Sequence, residues 1–233
     1  MGMNKKIQLL DWGLTEYENA FEKQNALFED IVRIKIKNKQ ENLTLSTPNY
    51  FIFTEHPHVY TLGKSGKEEH LLLPGEELEK LNVRFIKTNR GGDITYHGPG
   101  QIVGYPIVDL DNFKIDIIAY IRNLEEVIIR VLKHFDLKGE RIPGETGVWI
   151  DAQKPSARKI CAIGVRTSRW VTMHGFAFNL NPDLNYFKYI IPCGIKNKGV
   201  TSLEAELGYC PKKEKVKNLI LDTFLEVFRA ELF

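Results

Sequence analysis

The stretch from Arg90 to Gln101, Arg-Gly-Gly-Asp-Ile-Thr-Tyr-His-Gly-Pro-Gly-Gln, gathers four glycines and a proline around a fixed positive charge, a carboxylate and an imidazole. Glycines permit positive φ and close approach of a ligand to the main chain. Arg90 supplies a permanent charge, and His97 titrates near neutrality. The run has neither the Lys-Ser/Thr ending of a phosphate-cradling loop nor dinucleotide-fingerprint spacing, which argues against a pyrophosphate ligand. A glycine-rich turn with a solvated arginine would explain the adjacent glycines without any ligand. Cys193, between Pro192 and Gly194 at the end of an apolar run, is held stiffly on one side and reachable on the other. Read alone, it is more simply a small buried hydrophobe. Cys161, inside an apolar strand, fits that bland reading, and Cys210 sits in a polar loop. Lys159 opens the strand holding Cys161; an ammonium brought near a cysteine favours the nucleophilic thiolate. Only the fold can join Lys159 to Cys193. His56 and His58 lack further ligands at metal-site spacing, so no metal is expected. His56 is read as a pocket wall and His58 as an exposed loop residue.

These groups need elements to hold them. Val83 to Ile86 and Ile102 to Val108 read as buried strands, with 90–101 a loop between them. Ile7 to Leu10 suits an edge strand. Thr15 and Glu18 have capping-box spacing, after which Tyr17, Ala20, Phe21, Gln24, Leu27, Phe28, Ile31 and Ile34 repeat along one helical face. Lys35 to Glu41 reads as a solvated end and loop. Tyr50 to Phe53 and Val59 to Leu62 are strands, followed by a polar, mobile surface loop from Gly63 to Pro74. Asp116 is placed to cap a helix that turns Ile117, Tyr120, Leu124, Val127, Ile128 and Val131 inward. Gly147 to Ile150, Lys159 to Val165 and Trp170 to Asn179 are strands, the last two a hairpin across Arg166 to Arg169. A short helix from Thr201 to Leu207 and an amphipathic one from Lys215 to Leu232 complete the order. The expectation is one α+β domain, 1–233, with 209–233 allowed as a small helical appendage.

The chain of 233 residues, 43% hydrophobic, can bury a sizeable core without staples. Three cysteines make no disulfide framework and suit a reducing compartment. A balance of 32 basic to 30 acidic residues gives no field for steering nucleic acid. No apolar run approaches the length of a membrane span or signal peptide, so a soluble cytoplasmic protein is expected.

Four motifs, Arg90 to Gln101, Lys159-Ile160-Cys161-Ala162-Ile163-Gly164-Val165-Arg166, Trp170 to Asn179 and Ile191-Pro192-Cys193-Gly194-Ile195, occur in the order and approximate spacing of the lipoyl(octanoyl) transferase family. Glu55-His56-Pro57 and Val59-Tyr60-Thr61-Leu62-Gly63 are similar too, so the resemblance covers about residues 7 to 208. It implies mixed β-sheets flanked by helices, as in the biotin and lipoate protein ligase catalytic fold. It also implies transfer of an octanoyl or lipoyl group from acyl carrier protein to a specific lysine of a lipoyl domain. The implied acceptors are 2-oxoacid dehydrogenase complexes and the glycine cleavage H protein. No cofactor is implied, and a monomer is the default.

By the same resemblance Cys193 carries the acyl group and Lys159 activates the thiol. Acyl contacts fall on Arg90, Gly91, Gly92, Asp93, Ile94, Thr95, Tyr96 and His97, on Ala162, Ile163 and Gly164, and on Gly175, Phe176 and Ala177. Cys161 departs from the small aliphatic residue more usual there and adds a second thiol near the site. The rivals are an ATP-dependent lipoate or biotin ligase, which needs no nucleophilic cysteine, and a non-catalytic acyl-binding module.

Overall fold

The computed structural model describes residues 4–191 and 198–233. Its strands are β1 (Lys6–Leu14), β2 (Tyr50–Glu55), β3 (Val59–Leu62), β4 (Arg84–Lys87), β5 (Ile94–His97), β6 (Gln101–Ile107), β7 (Glu140–Ile142), β8 (Glu145–Ile150), β9 (Arg158–Ser168), β10 (Val171–Asn179), β11 (Gly199–Val200) and β12 (Glu231–Leu232). Its helices are α1 (Tyr17–Glu41), α2 (Gly75–Lys80), α3 (Leu110–Phe113), α4 (Ile117–Lys133), α5 (Leu203–Leu207) and α6 (Lys213–Phe228). Among the described residues, a mixed sheet runs β12-β1-β2-β6-β10-β9-β8-β7, with β11 added in parallel to β9, and a smaller sheet runs β4-β3-β5.

β6 and β10, at the centre of the large sheet, are buried along their whole length. Successive side chains point to opposite faces, so a strand covered on both sides must be apolar almost throughout. Ile102, Phe176 and Phe178 meet Leu124, Val127, Val131, Val216, Ile220 and Phe224 of α4 and α6 on one face. Val103, Tyr105, Ile107 and Ala177 meet Phe28 and Ile31 of α1 on the other. The apolar side of α6 thus belongs to the main core. The small sheet packs Tyr60, Leu62, Ile94 and Tyr96 against Leu78 and Ile190.

Asp116 caps α4 as expected, its Oδ1 accepting from Ala119 N at 2.7 Å. The capping box at Thr15 does not form. Its Oγ1 donates to Trp12 O at 2.8 Å, and α1 starts behind Glu16 with no side-chain cap, so burial of Tyr17, Ala20 and Phe28 holds that end instead. α1 also continues through Glu41, so 35–41 is helix and not loop; Lys37, Lys39, Gln40 and Glu41 are solvent-exposed as expected, while Lys35 pairs with Asp109 and Asp111. The 90–101 run is not one loop, since Ile94–His97 pairs antiparallel with β3. Residues 63–74 are tied down by a 3-10 turn at Glu68–His70 and a bridge from Leu71 to Ile190. The β9–β10 hairpin closes at Ser168 and Val171, leaving Arg169 and Trp170 as a two-residue turn at φ +50° and +65°. Both values match the left-handed geometry that such short hairpins require. No helix among the described residues is long and apolar enough to cross a membrane.

Gly104 and Phe176 face each other across β6 and β10, and a Cβ on Gly104 would sit 2.2 Å from the Phe176 ring. A Cβ on Gly175 would sit 2.1 Å from Gly104 O, which is main chain in a sheet centre. A ring can rotate away more readily than a strand can move. We expect Gly104→Ala to destabilise the fold by about 1–3 kcal/mol and Gly175→Ala by more, read as the order of urea midpoints.

Candidate active site

Without a side chain on Gly164, the loop before β5 can lie directly on β9. Gly91 N donates to Val165 O at 2.9 Å, and a Cβ on Gly164 would stand 3.0 Å from Gly91 O and 3.2 Å from Arg90 Cδ. Gly92 then turns the chain at φ +85°, and a Cβ on Gly63 would fall 2.2 Å from Gly92 O. Loop, β9 and β10 enclose a cavity of about 430 Å³. Lys159 and every residue expected to touch the acyl group line it, with one exception, Tyr96. Strand alternation turns Thr95 and His97 inward and Tyr96 outward. Tyr96 is buried on the far side of β5, stacked on Tyr186 at 4.9 Å, with its hydroxyl 2.7 Å from His58 Nδ1. His58 also stacks on Tyr186, so it is a packed aromatic partner and not an exposed loop residue.

Arg90, buried to 7% exposure, is held by the small sheet: Nη2 donates to Thr61 O at 2.6 Å and Thr61 Oγ1 at 2.9 Å, and Nη1 to Gly91 O at 3.0 Å. Three buried imidazoles stand near this charge. His56 bridges Thr15 O and Tyr105 Oη, both at 2.7 Å, and burial takes its pKa down to about 4. His174 meets Asn89 Oδ1 through Nε2 at 2.8 Å; burial first, then Arg90 and Arg166, takes it down to about 3. His97 is pushed well below its ordinary value by burial, then by His56 and Arg90. A fixed guanidinium thus stands among imidazoles kept neutral. Asp93 spends both oxygens locally, on Ile94 N and on His70 Nδ1, each at 2.6 Å.

Lys159 enters from β9, opposite Trp149 of β8. Its Nζ lies 4.6 Å from the centre of the Trp149 ring, and its Cδ and Cε would be 3.5 Å from a Cβ on Gly147. An ammonium over an indole face is stabilised by about 0.5–2 kcal/mol. Glu125, fully buried in α4, fixes this wall by accepting from Gly147 N at 3.1 Å while balanced by Arg122 and Arg141. Cys193 lies outside the described residues. The chain before it is bound to the small-sheet side, with Ile191 N on His70 O at 2.8 Å. The chain after it pairs Val200 with Lys159, and Thr201 N donates to Lys159 O at 3.0 Å. Cys161 points into the apolar cluster under α4, not into the cavity, and burial pushes its thiol up.

Other residues of the wall were not expected as contacts: Tyr17, Gln101, Tyr105, His174, Asn179 and Glu145. Gln101 joins His97 Nδ1 (3.2 Å) to Asn179 Oδ1 (3.0 Å), and Asn179 donates to Thr201 O at 2.9 Å. The available signal was polarity out of place, an imidazole and an amide within the otherwise apolar run 171–180.

The neutral imidazoles make stability acid-sensitive. A group whose native pKa is depressed takes up its proton more readily in the unfolded chain. Its stabilising contribution is therefore intact above about pH 6.5 and is lost as pH falls toward about 4 for His56 and about 3 for His174. Urea unfolding should lose about 1.4 kcal/mol per pH unit for each such histidine below pH 6. His174→Gln should flatten that slope by about one proton.

The lipoyl protein ligase A/B catalytic domain is the family model that matches, over residues 17–225. The chain is 59% identical over 231 residues to an octanoyltransferase of Flavobacterium johnsoniae, covering 99% of this chain and 100% of that one. It is 58% identical over 231 residues to an octanoyltransferase of Christiangramia forsetii, covering 99% of both. A bi-partite lipoate protein ligase of Thermoplasma acidophilum superposes with a TM-score of 0.71 at 14% identity, over 99% of this chain and 86% of that one, and so shares the fold. On these grounds the chain belongs to the lipoyl protein ligase A/B catalytic-domain family, among its octanoyltransferases.

Proposed function

We propose that this chain transfers an octanoyl or lipoyl group from acyl carrier protein to a lysine of a lipoyl domain, through a thioester on Cys193. The acceptors are lipoyl domains of 2-oxoacid dehydrogenase complexes and the glycine cleavage H protein. The protein works as a cytoplasmic monomer without a cofactor. One observation carries the reading: Lys159 shares a single cavity with the Arg90–Gly92 loop, Ala162 to Gly164 and Gly175 to Ala177, segments distant in sequence. Apolar walls from Ile163, Phe176 and Ala177 suit an acyl chain, each buried methylene contributing roughly 0.8 kcal/mol.

The proton balance explains why one lysine serves both halves. A free thiol near pKa 8.5 is only partly ionised at neutral pH, and an acceptor lysine near 10.4 is almost wholly protonated. The Lys159 ammonium favours the Cys193 thiolate, which attacks the donor thioester. The departing carrier thiolate takes the Lys159 proton, leaving acyl-enzyme and a neutral amine. That amine then accepts a proton from the incoming lysine, whose nitrogen attacks the acyl carbonyl. Thioester becomes amide, which is downhill and needs no ATP.

Mass spectrometry of the protein mixed with octanoyl-acyl carrier protein should give an octanoyl adduct that vanishes in Cys193→Ala and persists in Cys161→Ser and Cys210→Ser. An ATP-dependent ligase would instead remain active without Cys193. Lys159→Met should slow adduct formation by about 10²–10⁴-fold, measured by quenched flow. A normal rate in that variant would remove Lys159 from the mechanism.

A further inference from the structure

Among the described residues the cavity wall carries two carboxylates, Asp93 and Glu145. Asp93 is committed to His70 and Ile94 N, as described above. Glu145, the first residue of β8, gives Oε1 to Lys198 Nζ, while its Oε2 is buried without a hydrogen-bond partner among the described residues. Lys198 and Glu145 are each about one-quarter exposed, which puts the pair at the cavity rim. The Lys198 ammonium also stands 5.2 Å from the Trp149 ring, the same indole that holds Lys159 at 4.6 Å. Two cations therefore share one aromatic wall, with a single half-used carboxylate beside them.

A further cation has to approach this wall during turnover, because the acceptor lysine arrives as an ammonium. Removing it from water beside the Lys198 ammonium, with Lys159 neutral at this stage, is unfavourable unless an anion compensates. We propose that Glu145 is that anion: its free carboxylate oxygen receives the acceptor's ammonium and presents it to the Lys159 amine. The inference rests on the transfer reading above and adds a binding group for the second substrate. One proton of the docked ammonium passes to neutral Lys159. A second leaves the nitrogen as the amide forms and the carbon–sulfur bond breaks, and it stays on Cys193 as the thiol. The donor brings an uncharged thioester, so Glu145 has no counterpart role in the first half-reaction.

The test uses isolated octanoyl-enzyme of the wild type and of Glu145→Gln, which keeps size and polarity but removes the charge. Each is chased in single turnover with a lipoyl domain, whose nucleophile is cationic, and with hydroxylamine, whose nucleophile is neutral. Glu145→Gln should slow transfer to the lipoyl domain by at least roughly tenfold, the worth of one charge-assisted hydrogen bond. The hydroxylamine rate should be unchanged, and Glu145→Asp should recover part of the loss. Equal slowing with both nucleophiles would make Glu145 a structural residue and overturn the proposal. Unaltered transfer to the lipoyl domain would overturn it as well. Failure of the wild type to form any octanoyl-enzyme would instead remove the transfer reading, and this inference with it.

Discussion

Contact of main chain with main chain between the Arg90–Gly92 loop and β9 is the constraint on which the site depends. The Gly91 N to Val165 O bond is 2.9 Å long, and the bare Gly164 beside it leaves the two backbones room that a Cβ, 3.0 Å from Gly91 O, would crowd. Ala162 and Ala177, paired across β9 and β10, keep the neighbouring surface low, so that a slot remains where larger side chains would fill the gap. Glycine is usually weak in a strand, since it forgoes packing and side-chain restraint. Here the central strands are buried on both faces by α1, α4 and α6, and that packing offsets the weakness.

The electrostatics of the slot follow from the same closeness. Arg90 is desolvated by the contact, and the Thr61 carbonyl and hydroxyl replace its water. Burial disfavours the charged form of all three imidazoles and is the first cause of their lowered pKa values; Arg90 adds to it at His97 and His174, while His56 is lowered by burial alone. Trp149 stands beside two lysines, Lys159 and Lys198. The Trp149 ring gives Lys159 a surface that accepts positive charge without neutralising it, whereas Lys198 is also paired with Glu145. A carboxylate in that place would hold Lys159 as an ion pair and oppose the proton transfers proposed for it.

Much of this was legible in the chain, and the gaps have physical causes. Strong apolar periodicity placed α4, β2, β3 and the β9–β10 hairpin to within a few residues, because burial on a defined face leaves a period in the sequence. Spacing said nothing about competition for a donor, so the Thr15 hydroxyl, which prefers Trp12 O, read as a cap. Charge density made Lys35 to Glu41 look solvated, although Asp109 and Asp111 arrive from across the fold to neutralise Lys35. Glycine content hid β5 within the 90–101 run, and with it the alternation that turns Tyr96 away from the slot. Glu145 gave no signal, because its meaning comes from Lys198 and Trp149, which no local pattern connects to it.

The two sheets anchor opposite ends of the segment that contains Cys193. Segment 184–191, leading to Cys193, is fastened to the small sheet by Tyr60 Oη on Tyr186 O at 2.8 Å, by the Tyr96–Tyr186 stack and by Ile191 on His70. The segment leaving it is fastened to β9 at Lys159 itself through Val200 and Thr201. The Arg90–Gly92 loop and the chain up to Ile191 therefore hang from one sheet, and Lys159 and the chain from Val200 from the other. Whatever fixes the distance between the sheets fixes the distance between those two anchors. Among the described residues the Gly91 to Val165 bond crosses that gap alongside side-chain bonds such as His174 Nε2 to Asn89 Oδ1, and it is made of backbone, which has no rotamers to lose. A side-chain link at the same place would let the sheets drift by the reach of a torsion. A main-chain link over a bare glycine does not.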